Sequence, residues 1–426
     1  MRFSTALREP ARRFLESLGH ADIVIGIPAY NNDRTIANVI RIAALGLNMY
    51  FPDYDALVLV ADGGSVDDTR ELAEAVEIGS FRVEKLVTIY RGVPGKGSAI
   101  RAIFEAANFL KAQAVVTVDA DLRSITPEWI QNLVNPIIDL GYDFVAPYYR
   151  RYKYDATITN TIAYTLTRAL YGLRVRQPIG GDFAFSRAMI REYLEHDVWE
   201  TDIARFGVDI WLTTLAIVHR FRIVQARLGV KIHDTKDPAT HLGPMYRQVV
   251  STIFALMERY VDFWREIRGS KDVPVVGEEP PGEPQPFTIN VDALIEYFRL
   301  GMKTFGPSWK QVVNSKTFRL LQRLAKTPAN EFDLPVEEWA KIVYDFGVTY
   351  HTLPRQRIKL IEIMIPLYYA RVASLVNELR DVPESEVERF FERDAEAFEH
   401  TKTYLIRRWD EAERHAAAGG YAGMIL

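Results

Sequence analysis

The alternation of strand-like and helix-like segments constrains this chain more than any other feature. Residues 22–28, DIVIGIP, form a β-branched run that ends at Pro28; the polar YNNDRT follows, then a helical spacing of Ile36, Val39, Ile40 and Ala43. The unit recurs in ALVLVADGG before SVDDTRELAEAVE, and in AVVTVDAD after SAIRAIFEAANFLKAQ. Such repetition predicts an α/β fold with a mostly parallel sheet and helices on both faces. In that architecture ligands gather at the carboxyl ends of the strands, so the polar loops after them are the candidate sites.

With 426 residues, two domains are expected, each able to bury its own core. A change of composition at 268–286, RGSKDVPVVGEEPPGEPQP, reads as a linker. Residues 1–267 then form the α/β domain. Residues 287–426, with apolar residues at helical spacing in segments such as VEEWAKIVYDFGVTYH, form an all-helical C-terminal domain. A net charge of −4 disfavours nucleic acid and anionic membrane as partners. The absence of cysteine excludes disulfides and thiolate ligands, leaving Asp, Glu and His to hold any ion. The charged first twenty residues lack the apolar core of a signal peptide, and Ile361–Val376 is interrupted by Glu362, Pro366 and Arg371, so no membrane span is expected and the cytoplasm is the expected location.

Asp119 and Asp121 follow an apolar strand in VVTVDADLRS, where two carboxylates meet a cleft and suit a hard divalent cation bridging a diphosphate. Two solvated turn aspartates are the bland alternative. Lys96, between Gly95 and Gly97 in RGVPGKGSAI, is expected to let backbone and helix N-terminus approach a phosphate or base; the alternative is a glycine turn that starts a helix. The GxxxxGK[ST] spacing is missing, which argues against nucleoside triphosphate hydrolysis. Asp62 ends another strand, where it can accept from a base or ribose or simply close an Asx turn.

In order, IPAYNNDRTI, ADGGSVDDT, PGKGSAI and DAD resemble the Rossmann-like nucleotide-sugar half of a GT-A glycosyltransferase. With RYKYDATIT, QPIGGD, RFGVDIW and GVKIH, the likeness extends over roughly residues 22–260 to the retaining enzymes that make glucosylglycerate, mannosylglycerate or glucosyl-3-phosphoglycerate. That resemblance implies a donor site of Pro28, Tyr30, Asn32, Asp62, Lys96, Asp119 and Asp121, with Mg²⁺ or Mn²⁺ on Asp121 and His233. It puts Asp209 near the transferred sugar and Lys96 at the departing diphosphate as the catalytic pair. Arg151, Asp155 and Thr159 are implied to hold the acceptor, the guanidinium taking its carboxylate.

The reaction implied is retaining transfer of glucose from GDP-glucose or UDP-glucose to D-glycerate, a compatible-solute synthesis. DATIT replaces the GR-x-T phosphate turn of the phosphoglycerate enzymes, which favours unphosphorylated glycerate, while Arg174 and Arg176 keep 3-phosphoglycerate open; mannosylglycerate synthesis from GDP-mannose is a further alternative. A homo-oligomer is compatible with all of these. Rival readings are an inverting, family-two-like transferase with Asp209 or Asp202 as base, a nucleotidyltransferase, and a non-catalytic nucleotide-sugar sensor.

Overall fold

Strands β1 (Ile23–Ala29), β2 (Ala56–Asp62) and β3 (Val83–Ile89) alternate with helices as the sequence predicts in a computed structural model, which describes residues 4–233 and 238–417. β4 (Ala114–Thr117) and β5 (Phe144–Arg150) follow, then β6 (Leu173–Arg174), β7 (Phe183–Ser186), β8 (Ile223–Val230), β9 (Lys271–Asp272) and β10 (Val275–Val276). Eight of them make one sheet in the order β10-β8-β5-β7-β4-β1-β2-β3; β6 and β9 lie outside it. All neighbours run parallel except β7, which is antiparallel to both β4 and β5.

Alternation across the pleat builds a core on each face. Ile23, Ile25 and Ile27 pack with Val39, Ile40 and Ala43 of helix Ile36–Tyr50 and with Trp129, Ile130 and Leu133 of helix Pro127–Ile138. Gly26 faces the other way, where a Cβ would lie 2.4 Å from the Ile103 side chain. The missing side chain lets helix Lys96–Phe109 sit close on the sheet, and that helix begins with the lysine singled out above.

The chain divides into two compact units, neither of which is continuous in sequence. Residues 1–151, 175–235 and 272–285 form the α/β unit; 152–174, 236–271 and 286–426 form the other. The expected boundaries therefore differ from the observed ones at two places. Much of 268–286 is not a free linker, because Val275–Val276 pairs in parallel with β8 and Asn132 Nδ2 donates to the carbonyls of Arg227 and Glu278 at 2.7 and 2.8 Å. Residues 152–174 and 236–271 pack among the helices instead of on the sheet: Trp339 Nε1 donates to Thr161 O at 2.8 Å, and the Trp264 ring meets Trp409 at 5.5 Å.

The second unit is dominated by helices, chief among them Val291–Val312, Val336–Thr352, Arg357–Leu379 and Glu384–Ala417. Pro354–Leu379 is long and apolar enough to cross a membrane by length and composition, yet 78% of its apolar stretch is buried. Buried arginine there is paired: Arg371 binds Glu378 and Asp394 at 2.5 and 2.7 Å and Leu334 O at 3.0 Å, as a guanidinium removed from water requires.

Candidate active site

Register places the acidic turn. β1 pairs with both β2 and β4, so the loops after all three open at one edge. β4 also pairs with β7 in antiparallel register, Thr117 opposite Phe183, which sets Asp119, just past β4, against Asp182, just before β7. The Asp119 N–H donates to Asp182 Oδ1 at 2.8 Å. Thr35 Oγ1 donates to Ala120 O at 2.7 Å, and beyond it Leu122 forms a bridge with His233 while Arg123 N–H donates to Ile232 O at 2.9 Å. The DAD turn is thus tied on both sides, and its Asp121 is one residue from a strand-like pairing with the candidate metal histidine. Among the described residues the Asp121 carboxylate makes no hydrogen bond or ion pair.

Two lysines converge on the first aspartate. Lys96 Nζ donates to Asp119 Oδ1 at 2.8 Å and to Asp209 Oδ2 at 3.1 Å. Lys231 Nζ, from the residue after β8, donates to Asp119 Oδ2 at 2.8 Å, Asp182 Oδ2 at 2.7 Å and Gly180 O at 2.8 Å. The Tyr149 hydroxyl also donates to Asp182, and the Lys231 ammonium lies 5.1 Å from the Tyr149 ring centroid. Gly181, at φ +90°, leaves room for this: a Cβ there would come within 2.3 Å of Asp119 Oδ2.

These groups titrate as one cluster. Burial alone would pull the Lys96 ammonium down, but the charges of Asp119 and Asp209 outweigh it and raise its pKa. Lys231 is raised in the same way by Asp119 and Asp182. Burial pushes Asp119 upward, yet the two ammonium groups win and hold it well below the usual carboxylate range. For Asp182 and Asp209 burial wins, and both are raised. Asp209, in the first turn of helix Val208–Val218, keeps one buried oxygen, Oδ1, without a hydrogen-bond partner among the described residues. That atom is the cluster's spare acceptor for a hydroxyl.

Glycines around Lys96 serve a different purpose from the expected one. A Cβ on Gly97 would lie 1.8 Å from Ile203 O, and one on Gly95 2.6 Å from Ala204 O, so they admit the turn at Asp202–Ala204 and not a ligand. Gly97 N–H donates to Arg205 O at 3.2 Å, and Ser98 and Ala99 N–H to Gly95 O, so these amides are not available to an anion. Lys96 presents its side chain to the cluster, while the amides of residues 97–99 are engaged within the fold.

At the other end of the same edge, Asp62 accepts from Gly64 N–H at 2.8 Å and from Ser65 N–H at 3.0 Å, closing a turn in which it is fully buried. Asn32 Oδ1 accepts from Tyr30 N–H at 2.8 Å, so its side chain shapes the loop. Tyr30 is exposed and lies over Gly63, and Pro28 is half-buried in β1 beside it. The residues implied for the acceptor divide between the units: Arg151, in the α/β unit, stacks 5.1 Å from the Tyr149 ring, whereas Asp155 and Thr159 are in the helical unit. Asp155 Oδ1 caps Ala156 N–H at 2.7 Å, and Thr159 is buried. Arg176 is buried, and Arg174 Nε donates to Ser270 Oγ at 3.0 Å.

Lys231, Asp182 and Tyr149 escaped the reading of the sequence. Their signals were present: a lysine two residues before the histidine of GVKIH, an aspartate after a Gly-Gly pair, and a tyrosine near a strand end.

An acidic turn after a parallel strand, a lysine tied to its first carboxylate and a histidine paired to its far side keep the arrangement that the sequence resemblance to GT-A glycosyltransferases implied. Residues 24–198 match the family model described as Glycosyl transferase family 2. Glucosyl-3-phosphoglycerate synthase of Mycolicibacterium paratuberculosis is 29% identical over 254 residues, 55% of this chain and 71% of that protein. An undecaprenyl-phosphate 4-deoxy-4-formamido-L-arabinose transferase of Edwardsiella ictaluri is 32% identical over 123 residues, only 35% of that protein. A crystal structure of glucosyl-3-phosphoglycerate synthase from Mycobacterium tuberculosis, solved with Mg²⁺ and UDP, is 27% identical, covers 59% of this chain and 85% of that one, and superposes with a TM-score of 0.43. Another, with Mn²⁺, UDP and phosphoglyceric acid, is 26% identical, covers 60% of this chain and 84% of that one, and has a TM-score of 0.42. The chain is a glycosyltransferase similar to these synthases.

Proposed function

We propose that the chain is a retaining, metal-dependent glucosyltransferase that moves glucose from GDP-glucose or UDP-glucose to D-glycerate in the cytoplasm. The observation that carries this reading is the convergence of Lys96 on Asp119 and Asp209, beside a turn whose Asp121 adjoins His233. Asp121 and His233 fit a divalent ion: one offers a carboxylate unengaged among the described residues, the other an imidazole, and Asp119 is occupied by two lysines. Mg²⁺ or Mn²⁺ bound there supplies Lewis-acid neutralisation of the diphosphate.

The protein's own groups do the rest. Lys96, held cationic by its two carboxylates, lies where charge grows on the departing diphosphate. Asp209 Oδ1 orients a sugar hydroxyl, Tyr30 flanks the nucleotide, and Asp62 holds the turn beside Tyr30 from within the fold. In the retaining reading the acceptor approaches the face the leaving group vacates, and the leaving phosphate oxygen takes its proton. Asp209 is paired with Lys96 and is not required as a base.

The 29% identical relative favours a second reading, with 3-phosphoglycerate as acceptor. A screen of GDP- and UDP-hexoses against glycerate and 3-phosphoglycerate, with Mg²⁺ or Mn²⁺ and with products assigned by mass and NMR, decides between them. An α-linked glucosylglycerate supports the first reading. Turnover of phosphoglycerate alone overturns the acceptor, and a β-linked product overturns retention and promotes Asp209 to base.

A further inference from the structure

Two helices of the α/β unit end beside one another, each with a histidine at its C-terminus. Helix Arg187–Glu195 is followed by His196 as its C-cap, and helix Val208–Val218 by His219 as its C-cap. Glu192, one turn before His196, lies between them: its Oε1 is 3.3 Å from His196 Nε2 and 2.9 Å from His219 Nδ1. The ligand atoms of all three residues lie within 4.8 Å of one another, and among the described residues this is the one such group of three found.

The chemistry of this corner favours a cation three times over. Both helices turn their carbonyl ends toward it, and the partial negative charge of a helix C-terminus attracts positive charge within the last turn. A carboxylate adds a full negative charge. Two imidazoles supply the nitrogen donors that hard ions such as Mg²⁺ do not seek but Zn²⁺ does. The ligands are also held in place, because the His196 ring meets Trp211 edge-on at 5.9 Å and Trp211 is itself buried. His219 is exposed, which leaves a path for the ion and a fourth position for water.

We propose that Glu192, His196 and His219 form a Zn²⁺ site, with water as the fourth ligand, separate from the Asp121–His233 pair. It closes the C-terminal ends of two helices. Helix Val208–Val218 carries Asp209 in its first turn, and its length puts the zinc roughly 16 Å from that residue. Zinc here therefore anchors the far end of the helix that presents Asp209 to Lys96.

The test is Zn²⁺ titration of the full chain by calorimetry in excess Mg²⁺, with thermal unfolding followed in parallel. The expected result is one tight equivalent and a raised Tm in the wild type and in His233→Ala. His219→Ala and Glu192→Gln should bind Zn²⁺ roughly tenfold or more weakly and lose the Tm rise. His219 is exposed and Glu192→Gln keeps the side chain's shape, so an unchanged Tm without zinc shows that both variants fold. Absence of Zn²⁺ binding by the wild type overturns the proposal. So does Zn²⁺ binding that survives in His219→Ala and Glu192→Gln but is lost in His233→Ala.

Discussion

Replacing Lys231 with methionine keeps most of the aliphatic stem against the Tyr149 ring and removes only the ammonium. Three acceptors lose the ammonium, Asp119 Oδ2, Asp182 Oδ2 and Gly180 O, all within 2.8 Å, while Asp182 keeps the Tyr149 hydroxyl. At about 1.5–3 kcal/mol for each hydrogen bond to a charged group, the sum is at most about 9 kcal/mol. Two features reduce it. Asp119 keeps Lys96 on its other oxygen, and Asp182, already raised by burial, can take up a proton. The expected loss is about 3–5 kcal/mol, the range for removing one partner of a buried ion pair, and a large share of an ordinary domain's stability.

Urea unfolding of the α/β unit, monitored by circular dichroism, measures it. The sign of the pH dependence follows from Asp182, whose folded pKa must rise further once Lys231 is gone. A carboxyl raised above its unfolded value of about 3.8 destabilises the fold at high pH and less as pH falls, so the deficit of Lys231→Met should shrink as pH falls through the raised pKa toward that value. The double variant Lys231→Met/Asp182→Asn, which leaves no buried charge at that position, should recover a good part of the loss. A Lys231→Met protein within about 1 kcal/mol of wild type would refute the reasoning, as would a double variant less stable than the single one.

Asp121→Asn and His233→Ala should each abolish Mg²⁺- or Mn²⁺-supported turnover, as should excess EDTA on the wild type; full turnover in chelator would sink the metal assignment. Gly181→Ala forces a methyl to within 2.3 Å of Asp119 Oδ2 from a left-handed backbone, so kcat should fall at least tenfold, as read in steady-state kinetics, with a loss of thermal stability. In the helical unit burial lowers the Lys402 ammonium to about 8, its Nζ donating to Ile267 O at 2.8 Å. The unfolded chain then binds more protons than the native one between pH 8 and the free value, so stability rises with pH across that window. Lys402→Met should therefore raise Tm at pH 7, and the gain should narrow above pH 8; a gain independent of pH would refute it. Arg151→Lys should weaken use of the acceptor while leaving donor KM nearly unchanged, measured by varying each substrate in turn.

Local pattern made much of this protein legible. The alternating apolar runs predicted the parallel strands and their covering helices, because a buried parallel strand and an amphipathic helix each leave their period in the chain. The same runs marked Asp62, Lys96 and Asp119 as strand-end or helix-start residues, since a strand must stop where polar residues begin. Tertiary structure decided what those residues touch. β7 enters antiparallel between β4 and β5, and only that insertion sets Asp182 against Asp119 and brings Lys231 from β8's end to bind both. Strand order and register are set by pairings between distant segments, and no local period records them. The roles of Gly95 and Gly97 escaped for the same reason: what they make room for is the 202–205 turn, about a hundred residues away along the chain and in contact only once the sheet has formed.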